Sequence, residues 1–228
     1  MVRIQISDNP ALAVELKRSR RARRLSLRVS SVDARVTLTM PSHVSEQAAQ
    51  AFVDEKSDWI ASAVARCETP VFVRIGQTVP IGGQVFPIVA GSGRAAKLQV
   101  DRIEAPEGKE GPAVKALVKH MARARLAAAV DRFASALGRE PGRLTLRDTR
   151  SRWGSCTSEG ALMYSWRLIL APPEVLDYVA AHEVAHLAEM NHSPAFWAQV
   201  ERIHGPWQAQ RDWLHENGAQ LHRYRFDS

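Results

Sequence analysis

The sequence predicts an α+β fold in two parts: an N-terminal mainly-β domain with one helix over residues 1–105, and a C-terminal helical domain with a small sheet over residues 113–228. Three observations carry that division. Short runs of alternating apolar and polar residues dominate the first hundred positions, which is the period of half-buried strands. The stretch Glu104-Ala105-Pro106-Glu107-Gly108-Lys109-Glu110-Gly111-Pro112 concentrates Pro, Gly and charge and reads as a linker. From Ala113 onward, apolar residues recur at spacings of three and four, the period of helices packed on a core.

Candidate strands cover 2–6, 12–17, 25–30 and 34–40; in the last of these Val36, Leu38 and Met40 alternate before Pro41. A helix is predicted from Ser42–Ser45 to about Arg66, because Phe52, Trp59, Ile60 and Val64 share helical spacing. Strands follow at 71–75, 78–81, 84–90 and 97–103, separated by turns at Gly82-Gly83 and Gly91-Ser92-Gly93. In the second part a long helix runs through Leu117, Met121, Leu126, Val130 and Phe133 to Leu137 and stops at Gly138. Strands at 143–148 and 161–168 flank a turn region from Ser151 to Gly160. Pro172-Pro173 opens a helix over 173–190, and two more helices follow. Ser193-Pro194 reads as the cap and first position of the next helix. Its Phe196, Val200 and Ile203 form one apolar stripe, and Phe196 and Trp197 read as core.

With 45% hydrophobic and 24% charged residues, the composition is that of a soluble globular chain. No apolar run approaches the roughly 20 residues of a membrane span. Met1–Ile6 alternates like a strand and shows no signal-peptide core, so a reducing, cytoplasmic setting without a membrane partner is expected. Cys67 and Cys156 stand far apart and form no C-x-x-C pattern; they read as small core residues rather than as a redox pair. The formal charge of +7 is concentrated in Lys17, Arg18, Arg20, Arg21, Arg23, Arg24 and Arg28. That cluster could hold nucleotide phosphates or nucleic acid, or be the solvated face of a strand. No aromatic is interleaved to stack on bases, and Leu25, Leu27 and Val29 alternate with polar residues, which favours the strand face.

The chemistry concentrates in His182-Glu183-Val184-Ala185-His186, with His192 six residues further on. Two histidines four apart on a helix project about 40° apart, so both rings reach one metal ion, and the glutamate between them is placed to take a proton from water. The competing reading is a plain helix with two surface histidines and a solvated glutamate. Against it, Tyr178, Val179, Ala180, Ala181, Val184, Ala185, Leu187 and Ala188 give the flanks the composition of a buried helix, where unpaired polar groups are costly. Hydrolytic zinc sites use three protein ligands and keep a fourth position open, so a third ligand is required. His192 is favoured, with the chain turning back at Asn191 in a left-handed conformation; Glu201 on the following helix is the competitor. Cys156 is disfavoured as a ligand because three histidines already suffice.

The strand 161–168 directly precedes this helix and could bind an extended substrate along an edge, or be an interior strand. Arg152 could steady a substrate carbonyl or phosphate, or pair with Asp148. Tyr164, Arg152, Arg167 and His204 are all open candidates for the group that faces an oxyanion.

Taken together, Arg152-Trp153-Gly154-Ser155-Cys156, Ser165-Trp166-Arg167-Leu168, Tyr178-Val179, the H-E-x-x-H stretch and His192-Ser193-Pro194-x-Phe196-Trp197 resemble the YgjP-like family of metal-dependent hydrolases. These motifs span about 147–214, and the basic stretch before Leu25 and the Phe52–Ile60 helix extend the likeness toward the N-terminus. The resemblance implies a zincin-like C-terminal domain related to SprT-type proteases. His182, His186 and His192 would then hold Zn²⁺, and Glu183 would be the catalytic acid/base. It implies a metallopeptidase acting on peptide or protein. A nucleotide pyrophosphatase and a nucleic-acid-associated protease or binding module, both drawing on the Lys17–Arg28 cluster, are the alternatives.

Overall fold

The computed structural model describes residues 3–7, 9–30, 34–65 and 69–227. Cys67 and Arg66 lie outside them. The chain divides into two compact units, Met1–Pro70 and Val71–Ser228.

In the first unit, β1 (Arg3–Ile6), β2 (Asn9–Ser19), β3 (Ser26–Val29) and β4 (Val36–Pro41) form a sheet of order β1-β2-β4-β3. β2 and β4 run parallel, and the outer pairings are antiparallel. Val14, Leu16, Val36, Leu38 and Met40 alternate onto one face, where they share a core with Ala49, Val53 and Ile60. Those three come from α1 (Glu46–Glu55) and α2 (Ser57–Ala65), so the single predicted helix is two. The break falls at Lys56, just before Ser57 and Asp58, whose short polar side chains compete with helical backbone bonds. Within the basic cluster, Arg18 is committed internally: its guanidinium donates to Ser42 O, Val44 O and Glu46.

The second unit opens with β5 (Val71–Phe72), β6 (Thr78–Ile81), β7 (Gln84–Ala90), β8 (Lys97–Leu98) and β9 (Ile103–Ala105). β6 to β9 form a four-stranded sheet of order β6-β7-β9-β8. The strand predicted at 97–103 is split by a tight turn in which Gln99 N donates to Arg102 O. α3 (Glu110–Leu137) follows and ends, as expected, at a left-handed Gly138. The division expected at 105–113 falls inside this unit. Val79, Ile88, Ile103 and Ala105 belong to one core with Val114, Leu126 and the later helices. Gly111 is packed so closely that a Cβ there would stand 2.5 Å from Phe226 O. A segment composed like a linker is thus anchored at both ends, with Ala105 and Gly111 buried and Glu107, Gly108 and Lys109 exposed between them.

β10 (Leu144–Arg147), β11 (Gly154–Cys156) and β12 (Leu162–Ser165) form a three-stranded sheet of order β10-β12-β11. A 3₁₀ turn (Trp166–Leu170) leads into α4 (Pro173–Ala185), followed by α5 (Pro194–His204) and α6 (Gln208–Asn217). A second 3₁₀ turn (Gly218–His222) and β13 (Tyr224–Arg225), parallel to β5, close the unit. The α+β class read from the sequence is the one observed. Among the described residues, no helix is long and apolar enough to cross a membrane.

Candidate metal centre and cleft

α4 is buried on nearly every side, through Val175, Leu176, Tyr178, Val179, Ala180, Ala181, Val184 and Ala185. It carries His182 and Glu183 in its last turn and ends at Ala185, five residues before the predicted end. His186 caps it, and Leu187 N and Ala188 N bond back to Val184 O and Ala185 O, tightening the chain into a turn over 186–188. Asn191 is not left-handed, contrary to the sequence reading; instead its Oδ1 accepts a hydrogen bond from Ser193 N at 3.0 Å. Ser193 in turn caps α5 by accepting from Phe196 N. His192 is held between these two caps.

Three rings converge there. The centroids of His182, His186 and His192 form a near-equilateral triangle with sides of 5.2, 5.0 and 4.9 Å. Each ring offers a nitrogen, and these nitrogens lie within 4.8 Å of one another. Glu201 is exposed and outside the group; Cys156 is half-buried and also outside it. The Cys156 Sγ donates to Thr157 O, and burial, with Glu183 nearby, pushes its thiol up to about 11.

The donor set fits a metal ion. His182 Nε2 and His192 Nε2 are 3.0 Å apart, a separation at which two neutral rings share one proton or share a cation. Burial drives His182 down to about 3, with His186 and His192 adding to the shift, and lowers His186 as well, so these rings are in the neutral, ligand-competent form. His186 Nδ1 lies 2.9 Å from Glu189 O; as the donor in that bond, it leaves Nε2 with its lone pair free. His182 Nδ1 is buried without a hydrogen-bond partner.

The floor is aromatic. Phe196 is fully buried, and its ring centroid lies 4.9, 4.5 and 4.8 Å from those of His182, His186 and His192. Trp197 flanks His182 and His192 and stacks on Trp207 at 4.0 Å. The core reading of Phe196 holds, and the structure adds that this core residue supports all three imidazoles.

Beside the triangle lies a cleft of about 500 Å³ lined by Arg152, Gly154, Tyr178, His182, Glu183 and Arg211, among others. Glu183 is 6% exposed, and burial raises its carboxyl to about 7, with Arg152 opposing the shift. Gly154 stands against it: a Cβ at that position would meet Glu183 Oε1 at 2.5 Å. Of the four oxyanion candidates, Arg152 alone lines this cleft. Tyr164 is fully buried and donates to Ala180 O, and Arg167 is buried in bonds to Asp148, Leu221 O and Tyr224 O. His204 packs on Phe133 and Tyr178. Tyr178 and Arg211 line the cleft although the sequence reading gave neither a role there; Tyr178 lies one helical turn before His182, which could have singled it out.

β12 is the central strand, so of its two readings the interior one holds. β10 and β11 are the edge strands, and β11, through Gly154, is the one that lines the cleft. Ser165 N bonds Trp153 O and Thr157 N bonds Ala161 O, and this register turns the main-chain N–H and C=O of Gly154 and Cys156 outward.

The family model described as YgjP-like, metallopeptidase domain, matches residues 23–217. No curated protein matches. Among solved structures, the crystal structure of the metallopeptidase zymogen of Pyrococcus abyssi abylysin is similar at 20% identity and a TM-score of 0.38, covering 43% of this chain and 97% of that one. A likeness of that size carries no argument.

Proposed function

The chain belongs to the YgjP-like family of metallopeptidase domains, and on that premise we propose that it is a zinc-dependent peptidase, with His182, His186 and His192 as the metal ligands and Glu183 as the general base. The observation that carries this reading is the triangle of imidazoles with one buried carboxyl group beside it, His182 and Glu183 lining the same cleft. Three nitrogen ligands with an open position are the donor set of hydrolytic zinc. When bound, the metal supplies Lewis acidity toward water and the scissile carbonyl.

The chain's own residues supply the rest. Glu183 takes a proton from the attacking water on a carboxylate oxygen and delivers it to the leaving amine. A carboxyl raised to about 7 suits both directions of transfer near neutral pH. Arg152, which lines the cleft beside Glu183, faces the negative charge that develops on the carbonyl oxygen. The outward main-chain groups of Gly154 and Cys156 hold an extended peptide as an added strand on β11, which sets the scissile bond beside Glu183.

The test is elemental analysis with peptide cleavage on the parent, Glu183→Gln and His192→Ala. Near-stoichiometric zinc in the parent and in Glu183→Gln is expected, with cleavage lost in the latter and zinc weakened in His192→Ala. Turnover retained by Glu183→Gln removes it as the base. Consumption of nucleoside triphosphates with no peptide cleaved replaces the peptidase reading with a phosphohydrolase.

A further inference from the structure

The three-stranded sheet has a second surface that the proposed chemistry does not use. Strand alternation places Gly154, Cys156, Leu162 and Tyr164 toward α4, and Thr145, Arg147, Ser155 and Met163 on the opposite face. That outer face is a hollow of about 420 Å³ bounded by Arg143, Thr145, Arg147, Arg152, Ser155 and Thr157. Its wall carries three guanidinium groups and several hydroxyls, and none of its lining residues is a carboxylate. Arg143 and Arg147 are exposed and make no ion pair among the described residues. The nearest acid in sequence, Asp148, is turned away: its two oxygens are taken by Arg167 at 2.6 and 3.2 Å. Arg152 lines both this hollow and the cleft that contains Glu183, so the two are contiguous around β11.

We propose that this hollow is a subsite for acidic side chains of an extended peptide, so that the enzyme selects substrates with Asp or Glu at alternate positions; the inference rests on the peptidase reading above. A strand added to β11 shares its pleat. Residues opposite Gly154 point into the Glu183 cleft, and residues opposite Ser155 point onto the outer face. A carboxylate on the outer face then lies at the Ser155 and Thr157 edge of the hollow, in the positive field of Arg143 and Arg147 across β12. Guanidinium groups bind carboxylates through paired N–H donors, and the hydroxyls complete the acceptor's bonding. A phosphate would satisfy the same cations. Only a peptide, however, also uses the outward N–H and C=O of Gly154 and Cys156, which lie between the hollow and the cleft. That juxtaposition selects the peptide.

The experiment compares three capped peptides of one core sequence carrying Glu, Gln or Lys at alternate positions. Cleavage is followed with the zinc-loaded parent, and binding is read by fluorescence anisotropy on Glu183→Gln at low and high salt. The Glu peptide is expected to bind and be cleaved about tenfold better than the Lys peptide, with the difference shrinking in high salt. Arg143→Glu/Arg147→Glu should invert the ratio between those two peptides, and Arg143→Gln/Arg147→Gln should bring it toward one. Equal handling of all three peptides overturns the subsite and leaves the peptidase reading intact. A Glu preference that survives charge reversal also overturns it. Binding of the Glu peptide that depends on Arg143 and Arg147, without cleavage by the parent, supports the subsite and overturns the peptidase reading. Binding of inorganic triphosphate that depends on Arg143 and Arg147, with no binding of the Glu peptide, assigns the hollow to phosphates and overturns the proposal.

Discussion

Gly154 and Glu183 touch across the cleft so closely that a Cβ on position 154 would lie 2.5 Å from Oε1 and 2.7 Å from Cδ of the carboxyl group. A strand glycine here gives the carboxylate its place. Gly154→Ala must displace either Glu183 or the edge of β11, and a misplacement of about 1 Å at a catalytic group costs about 100-fold in rate. The expected outcome is a kcat/KM about 100-fold lower with zinc content unchanged, because the three atoms nearest that Cβ all belong to Glu183. Parent-like cleavage by this variant, with the fold verified by circular dichroism, would show that Glu183 does not need its observed position.

Phe196 is the support common to the three histidines, with every ring within 4.9 Å of its centroid. Phe196→Leu keeps an apolar side chain but removes the flat surface on which the rings rest. Shrinking this fully buried ring to Leu costs about 1–2 kcal/mol of stability in lost transfer energy and residual cavity, whereas loosening the orientation of the proposed metal ligands weakens affinity by about tenfold or more. Zinc competition against a chromophoric chelator should show that loss in a protein whose Tm has moved only a few degrees. A shift in Tm with unchanged zinc affinity would reduce Phe196 to ordinary core.

The histidine triangle was legible in the sequence because its geometry is local: a helical i, i+4 pair and a capped turn six residues later. What escaped is non-local. The choice between edge and interior for 161–168 depends on two strands, 144–147 and 154–156, that the sequence brings near but does not order. The oxyanion candidates were all polar, and burial is what separates Arg152 from its sequence neighbours Tyr164 and Arg167. The boundary moved from 105–113 to Pro70/Val71 because composition cannot show that Gly111 is wedged under the Phe226 carbonyl. Gly154 was readable in principle, since a lone glycine inside a strand marks a close approach.

Arg167 organises the approach to the cleft without lining it. Its guanidinium binds Asp148 at 2.6 Å, donates to Leu221 O and Tyr224 O, and lies over the Trp166 ring at 4.6 Å. Removing Asp148 leaves a buried cation with its two carbonyls only. Breaking such a pair costs about 3–5 kcal/mol when both partners are buried. Asp148 is 38% exposed, so Asp148→Ala is expected to cost about 2–3 kcal/mol in urea unfolding. Asp148 also anchors the segment that carries Arg152, so KM for peptide should rise more than kcat falls. Arg167→Lys should not restore stability, because a point charge cannot bridge the carboxylate and two carbonyls at once. Full stability in Arg167→Lys would contradict that account.

His222 makes folding sensitive to acid. It is 4% exposed and stacked on Trp153 at 5.1 Å. Burial first, and then Arg167, Arg150 and Arg225, press its ring down to about 4, against the opposing pull of Asp148. In the unfolded chain an ordinary histidine titrates near 6.5. Between those values the unfolded state binds the extra proton and the folded state does not, so stability falls as pH drops from about 6.5 to about 4. Above 6.5 this group contributes no slope. The full contribution is about 3 kcal/mol, at a slope of about one proton. His182 shifts in the same direction, so the parent alone cannot apportion the loss. His222→Phe keeps a ring against Trp153 and removes the titration; the difference in unfolding free energy between parent and variant, measured at matched zinc from pH 7.5 to 4, isolates His222. That difference should change by roughly 3 kcal/mol across the window and stay flat above it. A pH-independent difference would mean that His222 takes up its proton inside the fold as readily as outside it.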